Sequence, residues 1–303
     1  MSTATGLDRP AAPPAFRQVS AARKAKNRIA TILVGFTFLL ALAPLVWLLL
    51  TVIAKGFEYI LAPDWWQKSL AGLTTRQFGG GVYHAIVGTL FQGLICAVIA
   101  VPIAILVAIY LVEYGKRSRL ARAVTFTVDI LSGVPSIVAA LFIYALWITT
   151  MGMPRSGFAV ALALVLLMIP VVVRTTEELL KIVPDELREA AYALGIPKWK
   201  TIIKIVIPTA LSGIITGISL AIARVMGETA PVLILVGYTA FINYNPFDGS
   251  MASLPLLMTS ERLVTNDVGE ARVWGAAVTL ILIITVFNLL GSLISKLTSL
   301  KNK

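Results

Sequence analysis

The chain has 303 residues, of which 58% are apolar and only 14% are charged. A soluble domain carries roughly 25% charged and about 45–50% apolar residues, and a soluble chain this apolar would expose large hydrophobic patches. The composition therefore excludes an ordinary soluble protein and predicts an integral membrane protein. The net charge of +11 does not indicate nucleic-acid binding, because the basic residues follow a membrane topology.

Six windows of roughly 20 apolar residues predict six transmembrane helices in an all-α polytopic fold. Residues 1–28 before them predict a flexible cytoplasmic tail, and residues 29–300 predict one transmembrane domain. The first window is too long for a signal peptide and predicts a retained helix. The windows cover residues 29–53, 83–111, 123–148, 157–173, 207–238 and 273–295.

Lys and Arg are distributed unequally between the two sides of these windows. With the amino terminus in the cytoplasm, six lie in the tail, four in 113–122, six in 174–206 and three in 296–303, which makes 19 of the 26. The outer segments hold six, and Arg224 lies inside the fifth window. This positive-inside pattern predicts a multi-pass protein of the plasma (inner) membrane with both termini in the cytoplasm.

The cytoplasmic segment between the fourth and fifth windows predicts a short amphipathic helix. Pro184 suits its first turn, Gly195 its end, and Pro197 separates it from a second helix that begins near Lys198. Its polar face is largely acidic, which disfavours a helix lying on anionic lipid and favours docking onto a partner protein. One apolar stripe follows from the helical spacing of Leu187, Ala190, Ala191 and Leu194.

The same segment resembles the EAA loop of ABC-importer permeases. Glu189, Ala190 and Ala191 are followed by Gly195 and, after nine more residues, by the run that ends at Pro208. Ile207 stands where that pattern has Leu. The resemblance implies a type I ABC-importer permease fold in which loop 177–208 is the coupling loop. Its short helix would dock onto ATPase subunits.

A finer resemblance is to the PstA-type permeases of phosphate-specific transport systems. It is carried by 80–82 (GGV) with 85–90 (AIVGTL), by 132–138 (SGVPSIV) and by 223–231 (ARVMGETAP). It implies import of inorganic phosphate, with a second related permease, two ATPase subunits and an extracytoplasmic phosphate-binding protein as partners. Sister permeases for molybdate or sulfate share the EAA loop, so another oxyanion is the alternative substrate.

Charges inside the windows are the candidate residues of the substrate pathway. Arg224 and Glu228 lie four apart in the fifth window, where Arg224 could offer its planar fork to an oxyanion and Glu228 could moderate the grip. The alternative is a self-satisfied pair that only stabilises the helices. Arg174 and Glu177 form a second pair, which the resemblance places near the inner mouth. Asp129 could pair with Arg224 or with a basic residue near the inner face.

Other features limit the function classes. The sequence has no G-x-x-x-x-G-K-[ST] motif and one histidine, so ATP is expected to be hydrolysed by partner subunits, with no catalytic residue, metal site or cofactor in this chain. Pro135, beside Gly133 and Ser136, is expected to kink the third helix or open its backbone. A stand-alone ion-coupled carrier is an alternative, but the sequence shows no internal repeat and the carrier would leave the EAA loop unexplained. A membrane sensor is a third alternative, disfavoured because the sequence shows no signalling domain.

Overall fold

The computed structural model describes residues 20–115, 118–264 and 266–301. The regular structure of this part of the chain consists of α-helices and π-helical turns. The chain divides into two compact units, Met1–Thr51 and Val52–Lys303. Residues 1–19 of the predicted tail lie outside the described residues. Residues 21–28 belong to the first helix, which therefore begins before the predicted start of the first span.

Helix α1 spans Ala21–Ile60 and contains Pro44. Its most apolar stretch buries no side chain within the chain. A helix that is apolar on all sides and exposed on all sides is suited to lipid rather than to water. The first predicted helix is confirmed, and it is longer at both ends than its window of apolar residues. Its length and composition suffice to cross a membrane.

The second unit continues with eleven further helices in its described part. Three of them are extended by π-helical turns: Tyr110–Tyr114 after α3, Tyr144–Thr150 after α5 and Ile202–Val206 after α8. Their bounds are α2 Pro63–Gln67, α3 Tyr83–Ile109, α4 Arg119–Gly133, α5 Ser136–Ile143, α6 Gly157–Ile182, α7 Asp185–Ala193, α8 Lys198–Thr201, α9 Ile207–Met226, α10 Ala230–Leu235, α11 Leu254–Glu261 and α12 Asp267–Lys301.

Helices α3 and α6 form the centre of the main apolar core. Small residues on α3 let the two backbones approach closely, as in other membrane bundles. The thiol of Cys96 lies 3.6 Å from the sulfur of Met168 on α6, and both side chains are fully buried. The fully buried small residues of α3 in this core are Cys96, Ala100 and Ala104.

The third predicted span is not one straight helix. Helices α4 and α5 meet at an angle of 107° across Val134 and Pro135. Pro135 has an extended conformation and is the N-cap of α5, so the helical hydrogen-bond pattern stops there. The prediction of a break at Pro135 is confirmed, whereas the prediction of one continuous helix over 123–148 is wrong.

The fifth predicted span is also interrupted. The helical run that starts at Lys198 passes through π-helical turns at Ile202–Val206 and ends at Met226. Gly227 follows as the C-cap, and the separate helix α10 carries Pro231 in its first turn. The window 207–238 is therefore wrong as a single helix, because a glycine and a proline within five residues end one helix and start another.

In the described residues, five helical runs are long and apolar enough to cross a membrane, and the bent α4–α5 pair supplies a sixth if it counts as one span. The segment that follows α10 folds back over α3. At Gly88 of α3, an added Cβ atom would lie 1.7 Å from the carbonyl oxygen of Ala252. Beside it, the hydroxyl of Thr89 accepts a hydrogen bond of 2.9 Å from the backbone of Leu254.

Candidate functional site

A cavity of about 500 Å³ lies between the end of α3, helix α4 and the end of α6. These are the ends that the positive-inside pattern assigns to the cytoplasm. One wall, from the π-helical turn that follows α3 and its C-cap, includes Leu111, Val112 and Gly115, and the wall from α6 includes Glu177 and Lys181. A water-accessible space of this size with charged walls can admit a small anion.

Four charged side chains form a connected network at this inner cavity. Arg174 on α6 donates to Glu177 over 2.7 Å and also to Asp129 on α4. Glu177 accepts from Lys181 as well, over 2.7 Å. Glu177 is buried while Arg174 keeps about a third of its side chain exposed. Each charge thus has a partner, which lowers the cost of placing Arg174 in a membrane helix.

This network resolves the partner of Asp129, which the sequence left open between Arg224 and a basic residue near the inner face. The partner is Arg174, on the neighbouring helix α6. The expected Arg174–Glu177 contact is also present. Arg174 is not among the residues that line the cavity, and its guanidinium is already shared by Asp129 and Glu177, so it would hold an ion only weakly.

Arg224 and Glu228 do not form the pair on one helical face that their spacing suggested. Arg224 is exposed in the last turn of α9, and the helix ends at Met226, so Glu228 lies beyond it. The ion pairs of the described residues do not join the two side chains. The interpretation as a self-satisfied helical pair is therefore wrong, because the helix does not continue through Gly227.

Glu228 instead lines a very small cavity at the outer end of α9, about 10 Å³ in volume. Gln92 of α3 and Ser253 before α11 line it too. The amide nitrogen of Gln92 and the hydroxyl of Ser253 are buried, and no protein group in the described part of the chain bonds to them. A polar cavity of this size has room for about one water molecule.

The coupling segment has the local structure that its sequence predicts. Helix α7 covers Asp185–Ala193 and begins after Pro184, which is its N-cap rather than part of its first turn. Gly195 has φ +74°, and its backbone nitrogen donates to the carbonyl of Tyr192 over 2.9 Å. A second helix then starts at Lys198 and leads into α9, with Pro208 in the first turn of α9.

The apolar stripe of α7 is mostly exposed. Leu187 and Leu194 are 40% and 79% exposed, and Glu189 and Ala190 are exposed beside them, whereas Ala191 is buried. An exposed stripe on a short helix between two membrane spans is suited to docking into a groove of another protein.

The buried side of α7 depends on a residue that the sequence analysis did not single out, Arg188. Its guanidinium contacts the carboxylate of Glu113, at the end of α3, over 2.9 and 3.0 Å. It also donates to the carbonyls of Leu180 and Val183 over 3.0 and 2.7 Å. The sequence alone does not indicate that Arg188 is buried and paired, because its main partner, Glu113, is 75 residues away in the chain.

The described residues contain no cluster of three or more His, Cys, Asp or Glu side chains that could hold a metal ion. The site thus consists of an exposed docking helix, a charged inner cavity and an exposed arginine in the outer half of α9.

Comparison with known proteins defines the class. Residues 100–299 match the family described as "Binding-protein-dependent transport system inner membrane component". Solved structures with the same fold include the MetNI methionine ABC transporter, in inward-facing conformations (TM-score 0.57, 18% identity, covering 72% of this chain and 94% of that one). A bacterial ABC transporter that imports alginate gives a TM-score of 0.63 at 13% identity, covering 90% and 96%. The fold is that of type I ABC-importer permeases.

Curated relatives narrow the class to one family. The phosphate transport system permease protein PstA of Mycobacterium leprae is 57% identical over 94% of this chain and 94% of its own length. PstA 1 of Mycobacterium tuberculosis (strain CDC 1551 / Oshkosh) is 57% identical over 95% and 94%, and PstA of Yersinia pestis is 39% identical over 92% of both. The chain belongs to the PstA family of ABC-importer permeases. It is a multi-pass membrane component, not an enzyme, of a system that also has ATPase and substrate-binding components.

Proposed function

We propose that this chain imports inorganic phosphate as one permease of an ATP-driven transporter. A second related permease completes the pathway, two ATPase subunits supply the energy, and an extracytoplasmic phosphate-binding protein delivers the ion. Both termini lie in the cytoplasm. Membership of the PstA family supports phosphate as the substrate. The exposed stripe of α7 supports docking of the ATPase subunits at Glu189, Ala190 and Gly195, whereas Ala191 is buried and would hold α7 against the rest of the chain.

Arg224 is proposed to face the phosphate pathway in the outer half of the membrane. An exposed guanidinium in a membrane helix costs several kcal/mol unless it meets water or an anion. Arg224 is exposed on the surface of this chain. That placement supports a pathway between this permease and its related partner. Glu228, just past the helix end, would limit how tightly phosphate is held, and Arg174 with Glu177 would receive it at the inner cavity.

The test is uptake of radiolabelled phosphate by membrane vesicles that contain the transporter, with and without co-expressed ATPase subunits. We expect uptake to need the ATPase subunits and to resist competition by excess sulfate or molybdate. Uptake by this chain alone, driven by an ion gradient, would contradict the proposal. ATP-dependent uptake that sulfate or molybdate suppresses would reassign the substrate to another oxyanion.

The variant Arg224→Gln tests the pathway residue. We expect uptake to fall about tenfold or more while the complex still assembles, because loss of a charge-assisted contact to an oxyanion weakens its passage. Arg262→Gln is the matched control, since Arg262 is an exposed arginine of the outer segment after α11. Normal uptake by Arg224→Gln would return Arg224 to a structural role.

A further inference from the structure

The buried ion pair between Arg188 and Glu113 connects the docking helix to the walls of the inner cavity. Arg188 lies on α7, and only 9% of its side chain is exposed; Glu113 lies in the π-helical turn that ends α3, with 4% exposed. A buried charge pair is costly to separate, because each partner would be left unpaired away from water. Helix α7 is therefore held firmly to the end of α3.

Arg188 also holds the end of α6. The last carbonyls of a helix have no partner within the helix, and Arg188 satisfies those of Leu180 and Val183. One guanidinium thus joins three elements, α3, α6 and α7, through donors in a rigid planar fork. Lys198 adds a second link, because its ammonium donates to the backbone carbonyl of Glu113 and lies 4.6 Å from the ring centre of Tyr114.

Packing beneath these polar contacts makes the joint stiff. A separate apolar cluster combines the ends of α3 and α6 with the start of α9. Close-packed interiors transmit displacement rather than absorbing it. The buried members of this cluster are Ala108, Val112, Leu180, Val183, Val206, Ala210 and Ile214.

The held segments are the ones that form the inner cavity. Leu111, Val112 and Gly115 flank Glu113 in the π-helical turn after α3 and at its C-cap, and Glu177 and Lys181 flank Leu180 on α6. We infer that Arg188 and Glu113 are positioning residues that make α7 move together with these two walls. An ATPase that displaces α7 would then reshape the cavity directly. This inference rests on the proposed function, and neither residue is assigned to contact phosphate.

The test measures phosphate transported per ATP hydrolysed, normalised to assembled complex, in liposomes that hold the complete transporter with its binding protein. Arg188→Met removes the pair and leaves the buried Glu113 carboxyl without its guanidinium partner. The double variant Glu113→Leu with Arg188→Met removes both charges and replaces them with apolar side chains, which often preserves stability. We expect both variants to lower the transport-to-hydrolysis ratio about tenfold, a usual size for coupling between separate sites.

A second buried ion pair supplies the matched control. Arg272 and Glu261 are 3.1 Å apart and only 6% and 8% exposed, and they lie on the outer side, away from α7. The double variant Glu261→Leu with Arg272→Met removes an equivalent pair. We expect the complex that assembles with this variant to transport as much phosphate per ATP hydrolysed as the wild-type complex.

An unchanged ratio in the Arg188 variants would overturn the inference, as would an equal fall in the control. Failure of both Arg188 variants to assemble, while the control assembles, would make the pair purely structural. Absence of phosphate uptake by the wild-type complex would contradict the proposed function instead, and the two failures are therefore distinguishable.

Discussion

Single glycines set the closest backbone approach in this structure, and Gly88 is the most sensitive of them. Substitution Gly88→Ala would place a Cβ atom 1.7 Å from the carbonyl oxygen of Ala252. Because the obstacle is backbone, α3 and the segment before α11 must move apart, at a cost of about 1–3 kcal/mol or more. We expect a clearly lower Tm for the detergent-solubilised protein. Gly35→Ala, where the new Cβ has no atom within 4 Å, is the control and should match wild type or exceed it slightly. Equal Tm values for Gly88→Ala and wild type would contradict the clash.

At the same scale, the sequence predicted contacts between residues close in the chain better than contacts between helices. The Arg174–Glu177 contact follows from a three-residue spacing on a continuous helix. The four-residue spacing of Arg224 and Glu228 wrongly predicted a pair on one helical face, because Gly227 ends the helix between them. Periodicity cannot assign Asp129 to Arg174, because such a pair depends on how two helices pack.

At the scale of elements, the coupling segment was predictable because its ends are marked by residues with restricted or unusual backbones. Pro184 precedes α7, Gly195 follows it, and Pro197 precedes the next helix. Hydropathy located the membrane helices but not their breaks at Pro135 and Gly227, because average hydropathy reports the polarity of side chains and not the backbone hydrogen bonds between them. The 107° angle between α4 and α5 is set by tertiary packing: α5 packs against α6 and α10.

The end of α7 gives an element-scale prediction. Gly195 has φ +74° and open space where a side chain would go, so substitution acts through backbone strain and not through a clash. A left-handed conformation costs a β-branched residue about 1–2 kcal/mol, whereas Asn tolerates it. We expect Gly195→Val to reduce the amount of ATPase that co-purifies with the permease and to uncouple uptake from hydrolysis. Gly195→Asn should retain most of the co-purifying ATPase and most of the coupling between uptake and hydrolysis. Equal behaviour of the two variants would show that the backbone at this position is not what matters.

For the whole molecule, the bent α4–α5 pair determines the topology. If the pair crosses the membrane, the described part of the chain has six spans, an even number, and its two ends lie on the same side. If the pair enters and leaves on one side, five spans place the termini on opposite sides. The excess of Lys and Arg in alternate loops favours six spans.

Reporter fusions test this choice. A reporter that is active only in the cytoplasm is expected to be active after Lys303 and inactive when inserted after Asp248, in the outer segment before α11. A reporter that is active only outside should give the opposite pattern. Outward exposure of a reporter after Lys303, with inward exposure at the amino terminus, would establish five spans and a re-entrant pair.

The position of Cys96 has a practical consequence for such work. It is the only cysteine in the sequence, it is fully buried between α3 and α6, and its sulfur contacts that of Met168. Membrane-impermeant maleimides are expected to leave the unaltered chain unlabelled. Any cysteine introduced at the inner cavity or along α7 would then report its own solvent access, without first replacing a native residue.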